Sequence, residues 1–302
     1  MSAQADSLKS ILFALGANFA IALAKSVGAV YTGSSSMLAE AIHSFADCAN
    51  QALLIWGLKE AKRQASPDHP LGHGRAIYFW SFIVALMLFS MGGLFSIYEG
   101  VHKLHDAEPV RHAGIAVAIL FFGVVAESVS MWGALREINK ERAGRSLWHW
   151  FHGSRQSELL VIFAEDLAAL GGLALALLFI ALSILTGDPR WDAVGSIGIG
   201  LLLIGVALLV GSEVKALLVG RSAEPRVDAD LRVHLLAQPE VAQVYSLITQ
   251  QLGGDVMLAV KARMEPAASD VALIENINRV ERGLRTAFPQ LRWIFFEPDL
   301  RD

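Results

Sequence analysis

Met37–Leu58 reads MLAEAIHSFADCANQALLIWGL. The stretch is long enough to cross a bilayer, whose hydrocarbon core takes about 20 residues of helix, yet it carries Glu40, His43, Asp47 and Asn50. These four stand at i, i+3, i+7 and i+10, so a helix gathers them on one face and leaves the remainder apolar. Ionisable groups inside a membrane helix are costly, and their presence is a functional signal.

Working outward, apolar stretches of membrane length also lie near residues 8–31, 77–101, 113–135, 158–185 and 192–218. A chain of 302 residues that is 54% hydrophobic and 18% charged is too apolar for an ordinary globular protein, in which about a quarter of residues are charged. The net charge of -4 with no long basic run excludes a nucleic-acid partner, whose phosphates demand a Lys/Arg face. Cys48 is the only cysteine, which rules out an intrachain disulfide and any Cys-rich zinc site.

Lys59, Lys62, Arg63 and Arg75 lie between spans two and three, and Arg136, Lys140, Arg142, Arg145 and Arg155 between four and five. The opposite loops hold Lys103, Arg111 and Arg190. Positive loops stay in the cytoplasm, so both termini are expected there. Ile11 to Ala24, ending in Ala22-Leu23-Ala24, has the look of a signal peptide, but Asp6 beside a lone Lys9 and the apolar continuation after Lys25 favour an uncleaved span. No Arg- and Ser-rich transit segment precedes it, which points to a multi-pass protein of a prokaryotic inner (plasma) membrane.

After Gly220 charges occur throughout, and residues 221–302 read as a separate cytoplasmic domain behind a transmembrane domain of residues 1–220. Val256, Leu258, Val260, Ala262 and Met264 alternate with Met257, Ala259, Lys261 and Arg263, the period of a half-buried strand. Val271, Ile274, Ile277, Val280, Leu284 and Phe288 give a helical stripe. With a helix near 228–237, a strand near 241–250 and a last strand over 291–296, the order is αββαβ. The expected fold is an all-α six-helix transmembrane domain plus a small α+β C-terminal domain. About 80 residues fold alone only marginally, which favours docking against a second copy, a homodimer.

His43 and Asp47 lie one helical turn apart and reach one ion. Imidazole with carboxylate suits zinc and its first-row neighbours better than magnesium or calcium. The plainer alternative is a set of hydrogen bonds between helices, but four polar positions on one stripe favour an ion. Glu165 and Asp166, adjacent within span five, need a cation, a proton or a basic partner. Lys25, Glu99 and Glu213 lie nearer span ends, where snorkelling or inter-helix pairing is expected. Glu127 is deeper, and its role, behind the ion's ligands or in carrying protons, stays open. In the loop Pro67-Asp68-His69-Pro70-Leu71-Gly72-His73-Gly74-Arg75, Asp68, His69 and His73 form either a second metal site or a turn-shaping segment.

The run Gly33-Ser34-Ser35-Ser36-Met37-Leu38-Ala39-Glu40-Ala41-Ile42-His43-Ser44-Phe45-Ala46-Asp47, with its HxxxD, and His69-Pro70-Leu71-Gly72-His73-Gly74 resemble motifs of the cation diffusion facilitator family of metal transporters. Phe163 to Gly171, with Tyr78-Phe79-Trp80-Ser81, resembles its zinc-transporter-nine-like subgroup. The resemblance implies homodimers that exchange a divalent metal for protons by alternating access, with a tetrahedral site shared by helices two and five. In most members helix five supplies a ligand four residues before its Asp, where this chain has Ile162. His43, Asp47 and Asp166, completed by Glu165 or a water, are then the expected ligands. Regulatory His positions of the soluble domain align with Tyr245, Lys261, Ile274 and Phe295, which leaves that domain for dimerisation without a binuclear metal site.

The expected function is export of a divalent cation from the cytosol in exchange for protons, zinc first, with manganese, cobalt and iron open. No prosthetic group is expected. Enzymatic chemistry is disfavoured, since no HExxH occurs; a channel lacks a filter-like repeat; a non-transporting receptor or scaffold is the remaining alternative.

Overall fold

The computed structural model describes residues 2–105, 112–142 and 144–301, without the side chains of 2–14, 16 and 17. Arg111 and the side chains of Asp6 and Lys9 therefore lie outside the described residues. Six long helices follow in order: α1 (Ser2–Thr32), α2 (Ser35–Ala61), α3 (Ala76–His105), α4 (Ala113–Glu141), α6 (Ser157–Thr186) and α7 (Arg190–Val219), with a short α5 (Leu147–Gly153) between α4 and α6. At 1.5 Å per residue the long helices run roughly 40–46 Å, and α3, α4, α6 and α7 are long and apolar enough to cross a membrane. The polar stripe of α2 lowers its hydropathy while leaving its 27-residue length. The expected boundaries hold to within a few residues at most ends; the short α5 had no periodic signal of its own.

The chain divides into two compact units, one of residues 1–56, 80–147 and 158–214, the other of residues 57–79, 148–157 and 215–302. In the first, Ala29, Met37, Leu88, Leu120, Leu173 and Leu203, drawn from all six long helices, share one buried core. A π-helical turn at Leu88–Leu94 interrupts α3. Glycines let α3 and α7 approach backbone to backbone: a Cβ on Gly200 would lie 2.6 Å from the Gly93 carbonyl oxygen, and one on Gly100 would lie 2.7 Å from that of Ala193. Close approach through small residues is the usual way membrane helices gain packing contacts.

The second unit contains the α+β domain: α8 (Pro225–Leu236), β1 (Val241–Leu252), β2 (Asp255–Met264), α9 (Asp270–Ala287) and β3 (Leu291–Pro298). The sheet order is β1-β2-β3, with β1 antiparallel and β3 parallel to β2. Val256, Leu258, Val260 and Ala262 pack with Leu231, Leu235, Val280 and Leu284, as the alternation predicts. Val271 and Ile274 do not join them; both are exposed. Only the C-terminal half of the α9 stripe is buried, in a core it shares with α8. On the opposite sheet face Ile248, Ala259 and Phe295 pair across the three strands, with Ile248 60% and Phe295 56% exposed.

Within this unit the β1–β2 turn meets the loop that follows α2. Gly253 has φ +69° and lies against the backbone of Gly74, and its N–H donates to the Tyr78 hydroxyl at 2.9 Å. Arg155 uses its whole fork. Its Nε donates to the Ser222 carbonyl at 2.7 Å, Nη2 to that of Ala223 at 3.1 Å, and Nη1 to that of Gly153 at 2.7 Å. A residue expected only to set orientation is thus 8% exposed and pins the chain where it leaves α7. Arg155→Ala should destabilise the purified protein by about 2 kcal/mol, the scale of hydrogen bonds from a charged donor, and Arg155→Lys should not restore it, because an ammonium lacks the planar fork. Thermal unfolding in detergent measures this, and wild-type melting of Arg155→Ala would contradict the role.

Candidate functional site

The loop between α1 and α2 is fixed first. Gly33 takes φ +71°, and α2 then opens on a row of serines that converge on Asp192 of α7. Ser34 Oγ donates to Oδ1 at 2.7 Å, the Ser35 N–H to Oδ2 at 2.7 Å, and Ser35 Oγ to Oδ2 at 3.0 Å; Ser36 Oγ also donates to Oδ1. A carboxylate at a helix N-terminus satisfies orphan N–H groups and the helix dipole together. Asp192 is 3% exposed, and this anchor sets the rotation of α2.

One turn into α2, Glu40 meets Lys25 of α1. Both are fully buried, with Nζ 3.2 Å from Oε2, and Lys25 also donates to Ser44 Oγ at 2.8 Å. Gly172 of α6 makes the room, since a Cβ there would collide with Glu40 Oε1. Lys25 therefore does not snorkel. Inter-helix pairing is its actual state, and Glu40, on the same stripe as His43 and Asp47, is committed to that ion pair.

Farther along α2, Asp47 lines a cavity of ≈ 20 Å³ together with Glu165 and Asp166 of α6, Glu127 of α4, and Asn18, Ser44, Gln51, Ile21 and Ile162. That volume suits about one water-sized occupant. His43 is fully buried, neither ring nitrogen has a hydrogen-bond partner, and Nδ1 stands 3.6 Å from Asp47 Oδ1. Asn50 Nδ2 donates to Glu165 Oε1 at 2.5 Å, and Ser130 Oγ lies 3.1 Å from both oxygens of Asp166. Of the expected residues, Asp47 of α2 and Glu165 and Asp166 of α6 thus line one cavity, and His43 lies beside Asp47. Even so, among the described residues no three His, Cys, Asp or Glu side chains are gathered closely enough to hold a metal ion, Asp68, His69 and His73 included. In that loop His69 and His73 stack with ring centroids 4.4 Å apart, and Ser66 bridges to His69 in a tight turn.

Sequence reasoning missed Asn18, Gln51, Ser130 and Asp192. Only Asp192, an acid opening an apolar run just after Pro189, carried a signal that could have been read.

Fold and site together define a multi-pass helical membrane protein with an acidic cavity inside its bundle. The family model described as "Cation efflux transmembrane domain" matches residues 11–219, and the chain belongs to that family, the cation diffusion facilitators, a family of transporters rather than enzymes. It is 37% identical over 227 residues to the "Proton-coupled zinc antiporter SLC30A9, mitochondrial" of Xenopus laevis, covering 74% of this chain and 40% of that protein. The human protein of the same name is 35% identical over the same shares, which supports the zinc-transporter-nine-like subgroup. The "Cation-efflux pump FieF" of Klebsiella pneumoniae (strain 342) is 26% identical over 86% of this chain and 81% of its own length. The chain thus spans less than half the length of the relatives it matches at highest identity. Those relatives are named as mitochondrial, which overturns the expected plasma-membrane location. That expectation rested on the lack of a transit segment before the first span, and where this chain begins says nothing about a leader.

The buried ion pair yields a stability test. Lys25→Ala leaves Glu40 charged and unpaired in the bundle and should cost about 3–5 kcal/mol, whereas replacing both residues by Met should recover most of that. Unfolding of the two variants beside wild type measures the difference; a Lys25→Ala protein as stable as wild type would contradict the pairing.

Proposed function

We propose that the chain is a divalent metal cation/proton antiporter working by alternating access, with zinc the first cargo. The observation that carries this reading is the convergence of Asp47 of α2 with Glu165 and Asp166 of α6 on one small cavity, beside a buried His43 with unsatisfied nitrogens. Carboxylate and imidazole must shed protons to bind a metal, so the two cargoes compete for one set of atoms. That competition is the coupling. Return of the empty site is disfavoured while its carboxylates remain charged and unneutralised in hydrocarbon. His43, Asp47 and Asp166 are the proposed ligands, with Glu165 the fourth in place of Ile162. Glu165 accepts from Asn50 on one oxygen and lines the cavity.

The matched relatives' names support zinc and proton coupling for those proteins, and we extend both to this chain. Purified protein in liposomes under an imposed pH gradient should take up zinc, and Asp47→Ala and Asp166→Ala should each reduce uptake to that of empty liposomes while the protein stays folded. Gradient-driven uptake retained in Asp47→Ala would refute the assignment. Flux of manganese, cobalt or iron without zinc would keep the mechanism and change the cargo.

The proposed homodimer uses the open sheet face of Ile248, Ala259 and Phe295. At the positions where other family members place regulatory His residues, Tyr245 bonds the Leu300 carbonyl at 2.9 Å and Lys261 Nζ is 3.0 Å from Asp299. The Lys261 hydrogen bond, with help from the Leu300 N–H, holds the Asp299 carboxyl below its ordinary range. These residues are ammonium, phenol and apolar groups, so no zinc is proposed there. Phe295→Glu should lower the dimer fraction of the detergent-solubilised protein at least tenfold in light scattering, and crystals soaked in zinc should show none ordered on this sheet. A fully dimeric Phe295→Glu protein would rule out the face.

A further inference from the structure

We infer that Glu127, on α4, contacts the transported cation directly and adds a ligand from a third helix to those of α2 and α6. The inference rests on the site proposed above and extends it to a third helix. Gly123, Glu127 and Ser130 stand at i, i+4 and i+7, one face of α4. Both ends of that stripe are fixed by contacts: a Cβ on Gly123 would lie 3.3 Å from Cε of Lys25, and Ser130 donates to Asp166. Glu127 lies between them and lines the same cavity as Asp47, Glu165 and Asp166. Ile162, one turn before Asp166 on α6, presents only hydrocarbon to that cavity.

The neighbouring carboxylates are partly committed, Glu165 to Asn50 and Asp166 to Ser130. Glu127 makes no hydrogen bond or ion pair with another described residue, so both of its oxygens are available. Four carboxylates share the cavity wall, and no Lys or Arg lines it; the nearby Lys25 is held by Glu40 and Ser44. The fully buried His43, with no hydrogen-bond partner on either ring nitrogen and Nδ1 3.6 Å from Oδ1 of the cavity-lining Asp47, is an independent polar group that a cation bound there would satisfy. One imidazole among several carboxylates is an oxygen-rich set, and such a set binds manganese relatively better than the nitrogen-rich sites that suit zinc.

The experiment is equilibrium binding of zinc and of manganese to the full chain in detergent, with melting temperature as the folding control. Glu127→Gln should weaken both metals at least about tenfold, the lower end of what a lost metal-site contact costs. Glu127→Asp should retain most of the affinity, and Glu127→His should raise the zinc-to-manganese affinity ratio about tenfold, a change that a merely structural residue would not produce. Asp47→Ala separates the two levels of the reading. If Asp47→Ala abolishes binding while Glu127→Gln binds as wild type, the role of Glu127 is overturned and the site across α2 and α6 stands. If both bind as wild type, the site itself is refuted and this inference with it. Should Glu127→Gln fail to fold, unchanged affinity and selectivity in Glu127→His overturn the inference just as directly.

Discussion

The constraint on which this structure depends is the cost of charge in a medium without water. Within the helical bundle the chain meets it in two ways. Lys25 and Glu40 neutralise each other at zero exposure, and Asp192 is surrounded by serine hydroxyls and a helix N-terminus. These charges are complete as they stand. Asp47, Glu127, Glu165 and Asp166 are different: they share a wall with no cationic side chain on it. One physical rule thus separates the acids that are neutralised within the bundle from those that face the cavity, where the proposed cation would bind.

The two kinds of acid are mechanically linked. Asp192 fixes the start of α2, the Lys25–Glu40 pair fixes its next turn against α1, and His43 and Asp47 follow on the same face. The Lys25–Glu40 anchor needs a neighbour without a side chain, Gly172 of α6. His43 is held close to α3 as well: a Cβ on Gly92, inside the π-helical turn, would come 3.8 Å from its Nδ1. π-helical turns recur at functional positions in helices, and this one puts an irregular backbone beside an unsatisfied imidazole.

Much of this was legible in the sequence. Six long helices and the αββαβ order follow from apolar length and strand alternation, and the spacing of His43 and Asp47 puts both on one face of α2; the meeting of α2 with α6 was implied by the family resemblance alone. Glu40 shares its stripe with His43 and Asp47 by spacing alone; only the position of Lys25, fifteen residues earlier on another helix, reveals that it is already paired. Helix periodicity reports which face a residue shares and is silent on which neighbour that face meets. Val271 and Ile274 fall under the same rule, being periodic with Val280 and Leu284 but exposed. Asn18, Gln51 and Ser130 are small or neutral polar residues with no cost signature in a membrane span, so nothing in the chain marks them until the helices are assembled.

The size of the cavity bears on how it works. Room for about one water-sized occupant excludes a hydrated divalent ion, whose inner shell alone would carry several waters. In the proposed mechanism an entering ion would exchange water for side-chain oxygens and nitrogen, an exchange favourable only where enough negative charge replaces the lost hydration. Four carboxylates line the cavity and are the groups able to supply that charge. A pore built for rapid conduction keeps its binding weak and repeated along the path. One small cavity lined by several carboxylates, as in the proposed site, favours occupancy one ion at a time, and release would then depend on a change in the charge or the geometry of the same few side chains.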